Sequence, residues 1–227
     1  MLVQTLVDAL RGRAVSHGSA PALWRKQGDS PYRPWTWSEC AQSASRIARG
    51  LLSLNLPPMS TLAMLCGHRP EWLPLELGAM GAGLVAAPLY PTWPTDLLVA
   101  VLRRIGAAAV VVESPAQLAI LKEARAGLPQ LALGIALEGP VEGERWVHSL
   151  AEVMARGDGQ SSSDWTELGQ GLDPNAVALC AVTPGTVDAP RLVRHSHAAL
   201  VAHARRFSKA VGLGEQDSVL ARRTPAL

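Results

Sequence analysis

Lysine is scarce in this sequence. Only three of the 21 lysine and arginine residues are lysines, at positions 26, 122 and 209, so a catalytic lysine has few candidates. We attribute the excess of arginine to a bias in the base composition of the gene. The formal net charge is only +2 and no run of five basic residues occurs, so the sequence does not favour nucleic acid as a partner.

Cysteines and long apolar segments are also few. The three cysteines lie far apart, in apolar or helical contexts: Cys40, Cys66 and Cys180. Their odd number and spacing match neither a disulfide framework nor a metal site, so we predict reduced, mostly buried thiols and no residues that ligate a resident metal. The longest apolar tract, 79–89, is too short to span a bilayer, and the amino terminus lacks the pattern of a signal peptide. These features predict a soluble cytoplasmic protein without a transmembrane segment.

Apolar runs of strand length alternate with segments of helical periodicity along most of the chain, in which 48% of the residues are hydrophobic. The predicted strands are 61–66, 84–89, 108–112, 131–137, 176–182 and 192–195. The predicted helices after residue 60 are 70–81, 96–105, 117–126 and 197–211. Apolar strands that alternate with helices indicate a mostly parallel sheet with helices on both faces. We therefore predict a layered α/β fold.

The two ends of the chain and one internal segment are less regular. Apolar residues at helical spacing predict a first helix that ends at Gly12. The segment 157–173 contains four glycines and three consecutive serines, a linker-like composition. It separates an α/β region, 1–156, from a loop-bearing strand–helix region, 174–227. In the latter, a last strand is predicted to begin at Ser218.

The most informative segment is the loop that follows the predicted strand 176–182. It reads Thr183-Pro-Gly-Thr-Val-Asp-Ala-Pro-Arg191. A loop that binds a triphosphate needs backbone N–H groups directed at the anion, small residues, hydroxyl donors and a cation. The residues of these types are Thr183, Gly185, Thr186 and Arg191.

This loop and the six residues after it, Leu192 to His197, resemble the phosphate-binding loop of the adenylate-forming (AMP-binding) acyl-CoA synthetase superfamily. In that family a strand leads into Thr-Ser-Gly-Thr-Thr-Gly-x-Pro-Lys-Gly-Val, followed by two variable residues and Ser-His. Arg191 stands in the place of the lysine. The resemblance implies that the triphosphate of ATP is contacted by Thr183, Gly185, Thr186 and Arg191.

Three further segments resemble the long-chain fatty acid–CoA ligase branch of this superfamily. In the order and spacing of the family they are Trp35-Thr-Trp-Ser-Glu39, Arg69-Pro-Glu-Trp72 and Pro88-Leu-Tyr-Pro-Thr92. The first of them also predicts the start of a helix, with Thr36 or Ser38 as its N-cap. The likeness covers only the first part of the N-terminal domain of the family enzymes. It implies a truncated synthetase whose adenine-binding motif, hinge and catalytic lysine lie outside this chain.

Four positions depart from the family loop: Pro184, Val187, Asp188 and Leu192. Asp188, in the place of a glycine, is the largest departure. A carboxylate about 4–6 Å from a phosphate is repelled by about 3–4 kcal/mol per charge pair at an effective dielectric near 20. A bound Mg²⁺ would reverse the sign of this effect, so Asp188 is counted among the predicted nucleotide-binding residues.

The resemblance implies ATP-dependent activation of a carboxylate to an acyl-adenylate and then to a coenzyme A thioester, with ATP and Mg²⁺ as cofactors. Because the later family motifs are missing, we predict that the chain is inactive alone and supplies no catalytic residue. It then pairs with the remainder of a split synthetase, or associates with itself through strand edges and helix faces that the whole family domain would cover. The alternative is a non-catalytic, partner-binding protein on the same scaffold.

Overall fold

The computed structural model describes residues 3–26, 30–67, 69–138, 141, 144–159, 165–183, 190–215 and 217–219. Its helices are α1 (Leu6–His17), α2 (Trp37–Ser53), α3 (Trp72–Gly81), α4 (Thr95–Arg104), α5 (Pro115–Ala124), α6 (Leu150–Asp158) and α7 (His197–Ala210). Its strands are β1 (Pro21–Arg25), β2 (Arg33–Thr36), β3 (Thr61–Leu65), β4 (Val85–Pro88), β5 (Ala107–Val112), β6 (Leu133–Ala136), β7 (Val147–Ser149), β8 (Val177–Thr183) and β9 (Arg191–Ser196).

Seven of these strands form one sheet in the order β7-β6-β5-β3-β4-β8-β9. All neighbouring pairs are parallel except β8 and β9, which are antiparallel. Helices α1, α2, α3 and α6 pack on one face, while α4 and α5 pack on the other. Every residue of β5, an interior strand of this sheet, is therefore buried. The predicted α/β fold, with a mostly parallel sheet and helices on both faces, is confirmed.

The Trp35–Glu39 segment joins β2 to α2 through a capping box. The Thr36 hydroxyl accepts a hydrogen bond from the backbone N–H of Glu39 at 3.2 Å, and the Thr36 N–H donates to Glu39 Oε2 at 2.7 Å. These two bonds satisfy donors that the start of a helix would otherwise leave unpaired. Thr36, one of the two predicted N-caps, is therefore the N-cap.

Glycines allow α2 and α6 to touch along their backbones. A Cβ built on Gly50 would lie 2.0 Å from the carbonyl oxygen of Val153, and one built on Gly157 would lie 2.0 Å from that of Arg46. Any larger residue at either position would force the helices apart. The pair is also joined by a double hydrogen bond between Arg46 and Asp158.

The first helix is longer than predicted, because α1 continues beyond Gly12 to His17. Val7, Leu10 and Ala14 are buried on one side of α1, whereas a Cβ at Gly12 would meet no atom within 4 Å. A glycine inside a helix costs about 1 kcal/mol relative to alanine. Burial of large apolar side chains contributes about 1.5–3 kcal/mol each, so the helix continues through the glycine. The prediction that Gly12 ends it was wrong.

Part of the linker-like segment belongs to the packed structure. Gly157 and Asp158 are the last two residues of α6, and Leu168 is buried in the core beside α3. Glycines and other small residues occur both in linkers and where elements pack closely. Composition alone therefore predicted a linker here. The division into regions 1–156 and 174–227 stays a prediction.

Two further differences lie near the ends of the chain. β1 pairs with β2 as an antiparallel hairpin, and β1 is not among the strands that the sequence predicted. The strand predicted from Ser218 is not formed at Ser218 or Val219, and residues from 220 onward lie outside the described part. In the ranges that the structure describes, no helix combines the length and the hydropathy needed to cross a bilayer.

Candidate functional site

The predicted phosphate-binding loop connects β8 to β9. β8 lies parallel to β4, with Ala86 opposite Leu179, and ends at Thr183 on the carboxyl edge of the parallel strands. Ligands of open α/β sheets bind at this edge. In the β8–β9 pair, Thr183 lies opposite Arg191. The Thr183 hydroxyl is 3.5 Å from the Arg191 carbonyl oxygen, a long contact that leaves the hydroxyl weakly engaged.

Thr183 and Arg191, the two ends of the predicted site, are both exposed. Among the residues with described positions, no carboxylate lies within ion-pair distance of the Arg191 guanidinium. A hydroxyl and a guanidinium at the mouth of a loop fit a phosphate ligand. Gly185, Thr186 and Asp188 lie outside the described residues, so their roles stay predictions.

Arg104 of α4 holds the start of β9, a contact that the sequence analysis missed. Its Nη1 donates a hydrogen bond to the carbonyl oxygen of Pro190 at 2.7 Å. The hairpin is also fixed by apolar packing, since Cys180 and Val182 are buried and Leu192 packs against the same cluster as α4. Leu192 departs from the family glycine, and it anchors the hairpin. An arginine in the last turn of a surface helix carries no sequence signal of such a contact.

Ser196 and His197 join β9 to α7. The Ser196 hydroxyl accepts a hydrogen bond from the backbone N–H of Ala199 at 3.3 Å and caps the helix. His197 is 2% exposed, and its Nδ1 has no hydrogen-bond partner among the described residues. Burial lowers the pKa of His197, while Asp8 and Asp173 raise it in part. Both residues support the junction between β9 and α7.

The Arg-Pro-Glu-Trp segment links neighbouring strand ends on the same edge of the sheet. Arg69 Nη1 donates to Glu138 Oε1 at 2.6 Å, and this hydrogen bond raises the pKa of Arg69. The Gly67 N–H donates to Glu113 Oε2 at 2.7 Å. Residues beyond β3 thereby contact residues that follow β5 and β6. The segment positions this edge of the sheet.

The buried ionisable groups do not form a second reaction centre. Burial raises the pKa of the Cys40 and Cys66 thiols to about 12 each, so neither forms the thiolate that a nucleophile needs. Burial also raises the pKa of Glu76, and the hydrogen bond from Trp72 Nε1 at 3.3 Å opposes that shift. Within the described ranges, no three His, Cys, Asp or Glu side chains are arranged to hold a metal ion.

Comparison with known proteins places this geometry in context. The profile of a family described as AMP-binding enzyme matches residues 10–225. Long-chain-fatty-acid–CoA ligase heimdall of Drosophila melanogaster is 28% identical over 208 residues, which cover 87% of this chain and 30% of that protein. Human long-chain-fatty-acid–CoA ligase 6 is 27% identical over 224 residues, or 92% of this chain and 31% of that protein. The chain thus spans less than a third of the length of these curated relatives.

A solved structure shares the fold. The crystal structure of a long-chain-fatty-acid-CoA ligase from Archaeoglobus fulgidus superposes with a TM-score of 0.77 at 21% sequence identity. The superposition covers 94% of this chain and 40% of that one. The likeness at this identity concerns the fold.

Proposed function

The chain belongs to the AMP-binding enzyme family and is related to the acyl-CoA ligases; on this basis we propose that it carries the triphosphate-binding part of an ATP-dependent long-chain fatty acid–CoA ligase. One observation carries the proposal. Thr183 and Arg191 lie opposite each other where β8 ends on the carboxyl edge of the sheet, and the loop between them keeps the family residues at Gly185, Thr186 and Pro190.

The residues of the loop would share the work of holding the phosphates. Arg191 supplies the positive charge, and its planar guanidinium can donate two parallel hydrogen bonds where the family lysine presents a point charge. The hydroxyls of Thr183 and Thr186 donate to phosphate oxygens, and Gly185 lets the backbone approach them. Asp188 would fit this arrangement if its carboxylate held Mg²⁺, which would supply positive charge to offset that of the phosphates.

The whole reaction would need parts beyond these residues. We propose that the complete enzyme joins a long-chain carboxylate to the α-phosphate of ATP with release of pyrophosphate, and then transfers the acyl group to coenzyme A. The 227 residues alone would form no acyl-adenylate, because the family's adenine, ribose and lysine contacts are made by later motifs. The present chain would then act together with the remainder of a synthetase.

Two measurements test the proposal on the purified chain. Calorimetric titration with ATP and with pyrophosphate, each with and without Mg²⁺, should show binding that the Arg191→Ala variant loses. Lys209→Ala, which removes an exposed cation of α7, is the matched control and should bind as the parent does. Pyrophosphate exchange with a fatty acid should stay at the level of buffer. Exchange above that level, in protein free of host ligases, contradicts the assignment as an inactive part.

A second function is favoured by the departures in the loop. Pro184 removes one hydroxyl and one backbone donor, Val187 removes another hydroxyl, and Asp188 brings a negative charge. A non-catalytic, partner-binding protein on the same scaffold would tolerate all three changes. Reading the gene beyond the codon for Leu227 separates the two functions. A continuation with the adenine and hinge motifs supports the synthetase, and a stop followed by an unrelated gene supports the partner-binding protein.

A further inference from the structure

Arg104 lies in the last turn of α4, at a point where the helix is firmly packed. Val101, Leu102 and Ile105 beside it are buried in the apolar cluster that α4 and α5 form with the sheet. The Ile105 carbonyl oxygen accepts a hydrogen bond from the Thr61 hydroxyl at 3.1 Å, which joins the end of α4 to the start of β3. The backbone from which the Arg104 side chain extends is therefore part of the packed fold.

The Arg104 side chain reaches the residue directly before Arg191. Its Nη1 donates a hydrogen bond to the Pro190 carbonyl oxygen at 2.7 Å. Because proline has no N–H, this carbonyl is the only backbone hydrogen-bonding group of Pro190. It shares a planar peptide unit with the nitrogen and Cα of Arg191. The hydrogen bond from Arg104 therefore restrains the direction in which the chain enters β9 at Arg191.

The hairpin of β8 and β9 has few other attachments near the loop. β8 pairs with β4 at a single register position, Leu179, which lies four residues before the end of β8 at Thr183. Val182 and Leu192 pack against the apolar cluster that includes α4. Within the described ranges, the bond from Arg104 is the only hydrogen bond that joins a helix to the loop end of the hairpin. It therefore restrains the part that the short ladder leaves free.

We propose that Arg104 is a positioning residue for phosphate binding, which holds the Pro190 carbonyl and thereby fixes Arg191 opposite Thr183 before a phosphate arrives. This inference rests on the proposed function of the loop. A group that is already fixed loses less conformational freedom when it binds, so the restraint increases the affinity. Arg104 acts through Arg191 and needs no contact of its own with the ligand.

Arg103 provides a matched comparison on the same helix. It also lies in the last turn of α4, and its Nε donates to the carbonyl oxygen of Gly127 at 3.0 Å, in the turn that follows α5. The two arginines have the same charge and the same type of acceptor, and they differ in the segment that they hold. Arg103→Ala is therefore the control for Arg104→Ala.

Calorimetric titration of the purified chain with pyrophosphate, in the absence of Mg²⁺, measures the effect. Arg104→Ala should weaken binding by about threefold to tenfold, the range expected for the loss of one hydrogen bond. Arg103→Ala should bind as the parent does. Arg104→Lys keeps a cation that can donate to the carbonyl and should restore most of the affinity. Equal binding by the two alanine variants, or a lysine variant as weak as Arg104→Ala, contradicts the role of Arg104.

Ionic strength separates positioning from direct attraction between Arg104 and the ligand. Attraction between exposed charges is screened beyond about 4 Å in about 0.5 M salt, whereas a restraint on the backbone persists. The ratio of the pyrophosphate affinities of the parent and Arg104→Ala should therefore remain at high salt. A ratio that falls to one would assign the effect to the charge of Arg104 and overturn the positioning role.

Hydrogen exchange without ligand tests the restraint itself. Arg104→Ala should speed the exchange of the β9 amides by about threefold or more, and Arg103→Ala should leave them unchanged. Circular dichroism checks that all variants are folded. No binding of pyrophosphate by the parent would contradict the proposed function. Binding by the parent that Arg104→Ala retains, with unchanged exchange in β9, would contradict only the role of Arg104.

Discussion

The Arg46 guanidinium and the Asp158 carboxylate clamp α2 to α6: Nε of the arginine lies 2.6 Å from Oδ1 of the aspartate, and a second hydrogen bond joins Nη2 to Oδ2. The two residues are 112 positions apart in the sequence. The hydrogen bond from Arg46 lowers the pKa of Asp158, and the same bond raises the pKa of Arg46. The ion pair lies next to the backbone contact that Gly50 and Gly157 allow between α2 and α6.

Asp158→Asn should lower the free energy of unfolding by about 0.5–1 kcal/mol at pH 7, the upper range for a solvent-screened pair with two-point geometry. A carboxyl group with a depressed folded pKa contributes stability that is present above its unfolded pKa, about 3.9, and lost as pH falls through the folded pKa. The difference between variant and parent should therefore vanish in strong acid. Urea denaturation of the parent and the variant at pH 7 and in strong acid measures this difference in the free energy of unfolding. Glu215→Gln, which breaks the more exposed ion pair with Arg13, is the control and should change stability less at pH 7.

Gly50→Ala should destabilise the fold by about 1–3 kcal/mol or more, because the new Cβ would meet the Val153 carbonyl oxygen at 2.0 Å. Gly12→Ala is the matched control, since that glycine lies within a helix and has open space around it. This change should stabilise the protein by about 0.5–1 kcal/mol. Thermal or urea melts should therefore show changes in stability of opposite sign for the two variants. A neutral Gly50→Ala variant would mean that α2 and α6 do not touch through their backbones.

His197 should make stability depend on pH near neutrality. Its folded pKa is lowered by burial, so the unfolded chain binds a proton more readily than the folded one. The free energy of unfolding should then fall as pH drops below about 6.5, with a slope of up to about 1.4 kcal/mol per pH unit until the folded pKa is passed. Urea melts at a series of pH values, together with an NMR titration of the imidazole, measure both quantities.

His197→Gln should flatten that part of the pH profile, although it also lowers stability at every pH by altering the core. His203→Gln, which removes an exposed histidine six residues further along α7, is the control and should leave the effect of His197 on the profile in place. A profile that is the same in all three proteins would show that His197 does not carry the pH dependence.

Asp188→Gly combined with Val187→Thr should raise the affinity for ATP or pyrophosphate by at least about tenfold if the loop binds phosphate directly, because a repulsion of about 3–4 kcal/mol is relieved. Asp188→Asn removes the negative charge but does not give the backbone the freedom of a glycine. It therefore separates the effect of the charge from the effect of the backbone. If Asp188 instead holds Mg²⁺, both changes should weaken binding of Mg·ATP and leave metal-free pyrophosphate unaffected or better bound. Absence of binding by the parent and by every variant would show that the loop only connects two strands.

The sequence predicted the parallel sheet well because its strands are apolar throughout and separated by helices of regular periodicity. The capping box was also accessible, since Thr36 and Glu39 are neighbours in sequence and their spacing has a direct physical meaning. The end of α1 was missed because a single glycine gives the same signal whether it ends a helix or lies on its open side. β1 was missed because Pro21 to Arg25 alternates too little to stand out from a turn.

The same distinction between local patterns and long-range contacts applies to the candidate site. Thr183 and Arg191 were recognised by a local pattern, and the register of the hairpin brings them together. The Arg104 contact with Pro190 and the Arg69 contact with Glu138 join residues 86 and 69 positions apart. No local pattern encodes such distances. Self-association and pairing with the remainder of a synthetase stay predictions.

The single register pair between β4 and β8, Ala86 opposite Leu179, has a consequence for local opening of the native chain. β4 has only four residues, and its last residue, Pro88, has no N–H to donate. The hairpin with α7 is therefore attached to the parallel sheet by a much shorter ladder than the one within the hairpin. We expect the outer amides of β8 to exchange with deuterium through detachment of the hairpin as a unit, well before the amides of β5 exchange through global unfolding. The segment that carries the predicted phosphate-binding loop would thus be the one that detaches from the folded chain and reattaches.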